Sequence, residues 1–344
     1  AVTIGGQTRD GKDATNELSC LILRSASEFP LDYPYLGVRI HRNTPAEFIR
    51  EVCRATQKKG TSPVLFNDET IIARQQANGA TAEEARDYCG SGYSEARLIN
   101  RDTYFVGAAW LNLPAVLEMA LNDGFCSPIP GRRTGLPTGK AGEIRSFADL
   151  MERFRTQLLY MLDLAFRQQA ILERLRPLHI ASPLLSCLHD LCMKHGVDMS
   201  EGTVPEGRSI GGFLGVIGFA TVVDSLAAVE TLVFRQKRFS LSQLLDILAV
   251  NFEGHEDVRQ LCLNCPKYGN GTAWVDAIGR NIDRILLTRA RSEVNSYGGR
   301  GEIFYVPVKA HIAMGRVSGA TPDCIWQWKD HPHPFDAWLL SCLG

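Results

Sequence analysis

Between Leu36 and Glu95 the hydrophobic period switches repeatedly between two and about three and a half, and this constrains the fold more than any single motif. Leu36-Gly37-Val38-Arg39-Ile40-His41 alternates as a strand does. Thr44-Pro45-Ala46-Glu47 then gives a capping box with proline at the first helical position. The helix behind it runs to about Lys58-Lys59-Gly60, where basic residues and a glycine suit the negative end of the macrodipole. Val64-Leu65-Phe66 reads as a short buried strand, with Asn67-Asp68-Glu69 at its C-terminal end. Thr81-Ala82-Glu83-Glu84 caps another helix, which delivers the chain to a loop from Tyr88 to Glu95. Strand, helix, strand, helix, loop predicts an α/β fold with its functional loop at a strand end.

The flanking stretches extend this pattern. Gly5-Gly6-Gln7-Thr8-Arg9-Asp10-Gly11-Lys12-Asp13 reads as a polar turn with glycine hinges, running straight into an amphipathic helix from Ala14. Beginning on such a turn is unusual for a complete domain, although a simple surface turn accounts for these residues as well. Asn112 to Leu121 is a helix closed at Asn122-Asp123-Gly124. Gly131 to Lys140 is an exposed basic loop without the strand-to-helix spacing that cradles phosphate. Ser146 caps a helical region extending to about Lys194, with Leu150, Phe154, Leu158, Met161, Leu162 and Phe166 as its apolar stripe, broken by Pro177 and Pro183. Gly211-Gly212-Phe213-Leu214-Gly215 has the wrong spacing for a dinucleotide loop, and close backbone packing explains its glycines better. Helices are expected from Ala220 to Val233 and behind the cap Ser240-Leu241-Ser242-Gln243. A turn is expected at Pro266 to Gly271 and a strand at Phe304 to Val308. No repeat or linker appears, which predicts one domain.

Composition excludes several classes. The 344 residues carry a net charge of −1, with 45% hydrophobic and 22% charged content. That balance supplies no electrostatic pull toward nucleic acid or an anionic membrane. No apolar run is long enough to span a bilayer and no basic-then-apolar leader opens the chain, so the cytoplasm is the expected compartment. The 10 cysteines are read as reduced thiols. Cys262 and Cys265 form a lone pair without a second pair at metal spacing. Cys187 and Cys192 are read as small core residues, and no metal site is expected.

The loop itself reads Asp87-Tyr88-Cys89-Gly90-Ser91-Gly92-Tyr93-Ser94-Glu95-Ala96-Arg97, with two glycines that loosen it. In this setting it resembles the active-site loop of glycyl radical enzymes, the pyruvate formate-lyase-like family, which reads Gly-Cys-x-Glu where this chain has Gly92-Tyr93-Ser94-Glu95. The resemblance runs from Gly5 to Asp323 and includes Pro63 to Glu69, Asn112 to Gly124, Ala220 to Glu230, Asn251 to Gly254, Pro266 to Asn270 and Gly319 to Asp323. It implies part of a ten-stranded α/β barrel of two half-sheets with a helix-rich exterior, residues 1–323 forming a partial catalytic domain. It also implies a small-molecule substrate and leaves a homo-oligomer open. No cofactor is bound in the family. An iron–sulfur, S-adenosylmethionine-dependent activase draws a hydrogen atom from a glycine, the glycyl radical makes a thiyl on the loop cysteine, and the thiyl attacks the substrate. By the same resemblance Glu95 moves protons. Arg97 and Arg101 are read either as holding a substrate carboxylate by bidentate contacts or as pairing with Glu95 or Asp102.

Three departures stand against that chemistry. Tyr93 occupies the cysteine position, and a phenoxyl radical, delocalised over its ring, abstracts carbon-bound hydrogen poorly. Cys89 lies four residues earlier, a displacement that is costly in a preorganised site. Arg316-Val317-Ser318-Gly319 imitates the glycyl radical loop, but Ala320-Thr321-Pro322-Asp323 marks it as an earlier family stretch, so no radical glycine is expected here. Residues 324–344, with His331 and His333, resemble nothing in the family and read as a frameshifted tail rather than a metal tract. Val106-Gly107 stands where diol dehydratases carry His-Asp, which disfavours diol dehydration. Two readings result: a piece of a glycyl radical lyase or transferase cleaving C–C or C–X bonds in an anaerobic cytoplasm, or an inactive homologue that binds a small molecule or a complementing fragment. On this reading the chain is not competent alone.

Overall fold

A computed structural model describes residues 2–29, 34–59, 63–90, 95–103, 110–127, 129–209, 211–305, 314 and 318–324. The chain divides into two compact units: residues 1–104 with 181–209, and residues 105–180 with 210–344.

The first unit is built on a parallel sheet. Strand β1 (Val2–Gly5) precedes helix α1 (Glu17–Glu28), β2 (Leu36–Ile40), α2 (Ala46–Lys59) and β3 (Val64–Asn67). The order is β1-β2-β3, with β2 central, in register Ile4↔Val38 and Val38↔Leu65. Val2 to Gly5 is therefore a strand, where the glycine-rich sequence suggested only a turn following it. Four residues are too few to show a period, and pairing with β2 is what makes them extended.

One face of the sheet is apolar. Leu36 and Val38 pack with Ile4, with Leu23 of α1 and with Phe48 and Val52 of α2. The opposite face carries Gly37, Arg39 and Phe66. Edge strand β3 is less buried than its letters suggest: Phe66 is buried, whereas Leu65 is exposed. Asn67 caps α3 (Asp68–Ala77) by accepting from the Thr70 N–H. Thr81 and Glu84 form the expected capping box of α4 (Ala82–Arg86). The Thr44 hydroxyl accepts from the backbone N–H of His41, turning back toward β2.

The antiparallel strands β4 (Tyr88–Gly90) and β5 (Ala96–Leu98) follow, then β6 (Asp102–Thr103). The second unit begins with β7 (Trp110–Asn112) and α5 (Leu113–Leu121), and continues into the 33-residue helix α6 (Phe147–His179). Ser146 caps α6 as expected, and Leu150, Phe154, Leu158, Leu162 and Phe166 are buried, with Met161 half-buried. Pro177 does not break it. Proline cannot donate to the Glu173 carbonyl one turn back, and the Tyr297 hydroxyl donates to that carbonyl instead at 3.4 Å. Residues 181–209 belong to the first unit and hold α7 (Pro183–Ser186), α8 (Asp190–His195) and β8 (Arg208–Ser209), which pairs with β6. Pro183 thus starts a helix. Cys192 is buried as expected, but Cys187 is exposed, because its short helix covers only one side.

In the second unit β9 (Phe213–Ile217) is buried along its whole length between β10 (Glu302–Tyr305) and β7, all parallel. Between β9 and β10 lie α9 (Phe219–Val229), α10 (Leu241–Ala249), α11 (Glu256–Leu263) and α12 (Ala273–Ser292). Residues Glu230–Arg235 form a π-helical turn where sequence suggested continuous α-helix. The strand expected to run on to Val308 is described only as far as Tyr305. The glycine run serves close packing: a Cβ on Gly211 would stand 2.0 Å from the Arg300 carbonyl oxygen, and one on Gly215 would stand 2.2 Å from the Trp110 ring.

Two outcomes follow. Gly211→Ala must displace backbone rather than a side-chain tip, so it should cost about 3 kcal/mol in denaturant unfolding, whereas Gly142→Ala, 3.5 Å from its nearest neighbour, lacks that clash. Asp198 accepts from the backbone and hydroxyl of Ser200 and from Ser182 and Ser186, which hold its carboxyl down at about 2 against an ordinary 3.8. Its stabilisation is complete above the unfolded value of 3.8 and is lost as pH falls toward about 2. Urea unfolding of the protein and of Asp198→Asn should therefore differ at pH ~5 and converge near pH ~2.

Candidate active site

The hairpin β4–β5 frames the loop singled out in the sequence, in register Tyr88↔Leu98, Cys89↔Arg97 and Gly90↔Ala96. Tyr93 lies outside the described residues, as do Gly92, Ser94 and the Val106-Gly107 pair. Glu95, immediately before β5, is 5% exposed.

What fixes the hairpin is a buried polar network. Arg39 and Asp68 form a bidentate ion pair at 2.9 and 3.0 Å, their side chains 7% and 0% exposed. The Tyr88 hydroxyl donates to Asp68 Oδ1 at 2.6 Å, and Arg39 Nη1 donates to the Tyr88 carbonyl at 3.2 Å. The guanidinium also lies 4.0 Å from the centre of the Tyr88 ring. Burial, then Asp68, push the Tyr88 phenol well above its usual range, so it remains a donor. Gly90 donates its N–H to the Thr3 hydroxyl at 3.0 Å, and a Cβ there would come 2.6 Å from the Phe66 ring. Gly90 is thus a strand residue whose missing side chain admits Phe66, not a loosening hinge. His41, at the end of β2, is buried with Nε2 3.0 Å from Asp13 Oδ1.

The two arginines have different settings. Arg101 pairs with Glu84 at 3.0 Å and donates to the Glu206 carbonyl. Asp102 takes Arg208 rather than Arg101, accepting from its Nε at 2.6 Å and Nη2 at 2.8 Å. Arg97 stands across the strand pair from Cys89. The Cys89 thiol is pushed up by burial first and by the Asp102 charge second, so it stays protonated.

The sequence did not reveal Arg39, Asp68 or Arg208. The available signal was weak: alternation places Arg39 on one face with Gly37 and His41, which reads as solvated until β4 covers it. Elsewhere, Cys262 and Cys265 are both buried, and burial raises Cys265 to about 11. Among the described residues, no cluster of His, Cys, Asp or Glu side chains is placed to hold a metal, and no helix is long and apolar enough to cross a membrane. His331 and His333 are outside the described residues.

Comparison with known proteins explains the architecture. Residues 1–315 match the family described as PFL-like, pyruvate formate lyase-like. Isethionate sulfite-lyase of Desulfovibrio desulfuricans is 43% identical over 324 residues, covering 94% of this chain and 39% of that protein. The (2S)-3-sulfopropanediol dehydratase of Klebsiella oxytoca is 31% identical, covering 94% of this chain and 39% of that protein. A solved structure of hydroxyproline dehydratase from Clostridioides difficile, with trans-4-hydroxy-L-proline bound, matches at TM-score 0.85 and 32% identity, over 94% of this chain and 40% of that one. The chain belongs to the pyruvate formate lyase-like family of glycyl radical enzymes, and its fold is their α/β barrel type. It spans about two fifths of the length of the curated relatives it matches.

Removing half of the buried pair tests the frame. Asp68→Asn should destabilise the protein by about 3–5 kcal/mol, because it strands the Arg39 charge. Tyr88→Phe should cost about 1 kcal/mol. Denaturant unfolding of both single variants and the double variant should show non-additivity, since the groups share one carboxylate.

Proposed function

We propose that this chain is the loop-bearing part of a scaffold built for glycyl radical cleavage of a carbon–sulfur bond in a small organosulfonate, with Tyr93 standing in place of the abstracting cysteine. The observation that carries the reading is the gradient of similarity: 43% identity to an isethionate sulfite-lyase, against 32% to a hydroxyproline dehydratase and 31% to a sulfopropanediol dehydratase. Residues 1–323 are taken as the partial catalytic domain and 324–344 as a divergent tail. In this reading the buried Glu95 moves protons. Arg97, across from Cys89 at the base of the loop, meets the anionic head of the substrate, and charge-assisted bonds suit sulfonate as well as carboxylate oxygens. Arg101 contributes to the hairpin through Glu84. The partners are a radical-installing activase and a small anionic substrate, in an anaerobic cytoplasm where oxygen does not quench the radical.

The scaffold and position 93 then have separate consequences. The relatives support lyase chemistry for the scaffold, whereas the inactive-homologue reading rests on Tyr93 and on the sequence after Asp323. A tyrosine there stops hydrogen abstraction from carbon without altering the frame around it.

The test uses the full-length gene product, whatever its extent, with the activase of an isethionate sulfite-lyase under strict anaerobiosis, and measures sulfite release. The expected result is release by Tyr93→Cys and almost none by the unaltered protein. Arg97→Gln in the Cys background should raise KM about 10- to 100-fold, the worth of a charged hydrogen bond. Turnover of trans-4-hydroxy-L-proline or a diol, with no sulfite from isethionate, would overturn the substrate class. Sulfite release by the unaltered protein at a rate like that of Tyr93→Cys would overturn the role given to position 93.

A further inference from the structure

The second unit carries a partly open cavity of about 290 Å³ that the reading above does not use. Leu117 and Leu121 of α5, Leu245 and Leu248 of α10, and Ala320 and Pro322 give it apolar walls. Glu118 and Ser127 supply its most strongly polar corner, and Asn122 and Thr321 also line it. Among the described lining residues Glu118 is the one ionisable side chain. Glu118 Oε2 accepts from the Ser127 N–H at 3.0 Å, and Oε1 accepts from the Ser127 hydroxyl. Each carboxylate oxygen retains a second lone pair. Gly319 keeps the approach open, since a Cβ there would lie 2.9 Å from Glu118 Oε1 and 3.1 Å from Ser127 Oγ.

A carboxylate set among leucines and a proline, with donors from one serine and no positive charge on the described wall, is electrostatically incomplete. Burial accordingly pushes the Glu118 carboxyl up, against the opposing pull of Ser127. The complement of such a site is a cation with a short apolar body. A metal ion would find one carboxylate where hard cations take six or more oxygens. An anion would be repelled, and an alcohol would bring one donor and no charge. At about 290 Å³ the cavity stands at the small end of the range for ligand pockets, which suits a small occupant.

We propose that this cavity binds a small primary alkylammonium, its head on Glu118 and its chain against α5 and α10. The ammonium supplies a counter-charge that the described wall does not, and the alkyl chain removes the leucine faces from water.

Calorimetric titration of the whole protein at pH ~8 with n-butylammonium, n-butanol and butyrate tests this. The ammonium should bind about tenfold or more tighter than the alcohol, and butyrate should give no binding. Glu118→Gln should weaken the ammonium by about tenfold and leave the alcohol unchanged, with its melting temperature checked to confirm folding. Gly319→Ala, which keeps the carboxylate but crowds its open side, should also weaken the ammonium. As the pH is lowered, ammonium binding should increasingly release protons into buffer, because it draws the raised Glu118 carboxyl to its ionised form. Equal affinity for ammonium and alcohol, insensitivity to both variants, or no binding of n-butylammonium would each overturn the proposal.

Discussion

The first unit depends on a pair of opposite charges placed where water cannot reach them. Arg39 points away from the helices that cover the other face of its strand, and Asp68 begins the helix that follows the neighbouring strand. Their pairing fixes where β3 ends and α3 starts relative to β2. The Tyr88 hydroxyl takes its place on the same carboxylate, which draws β4 into the assembly. Such a pair adds little net stability over a well-packed apolar substitute. What it adds is position: a guanidinium with a fixed fork tolerates one arrangement of strand, helix and hairpin, and the loop after Gly90 starts from that arrangement.

Position is set differently in the second unit. Glycines along β9 and just before it bring it near neighbouring backbone and the Trp110 ring, and the apolar stripe of α6 contributes to a core shared with α5, α9 and α12. Close approach substitutes for charge, and a single added methyl group has the disruptive effect that a lost carboxylate has in the first unit. The two strategies suit different surroundings. Both β2 and β9 are buried on two faces, but the second face of β2 meets a strand of tyrosine, cysteine and glycine whose carbonyl and hydroxyl can take Arg39 and Asp68 as partners.

Much of this was legible in the sequence because local rules decide it. The strand at Leu36, the capping boxes at Thr81 and Ser240, the cap at Ser146 and the packing role of the Gly211–Gly215 run each follow from residues a few positions apart. Distant partners decided what was missed. Val2–Gly5 becomes a strand through β2, Pro177 is accommodated through Tyr297, and Arg101 finds Glu84 and the Glu206 carbonyl, one of them more than a hundred residues away. The candidate site shows the same division. Glu95 and Arg97 could be picked out from the loop's own letters, but the residues that hold the hairpin come from β1, β2 and α3 and carry no local mark.

That division bears on the tyrosine at position 93. Neither of the hydrogen bonds that seat Gly90 and Tyr88, to Thr3 and Asp68, comes from the loop. Ala96 likewise holds the other strand through its carbonyl, which accepts from the buried amide of Gln75 at 3.0 Å. A frame supported from outside survives a change in what it frames. On the proposed function, a tyrosine in place of a thiol at position 93 would remove the reaction while leaving these described bonds in place.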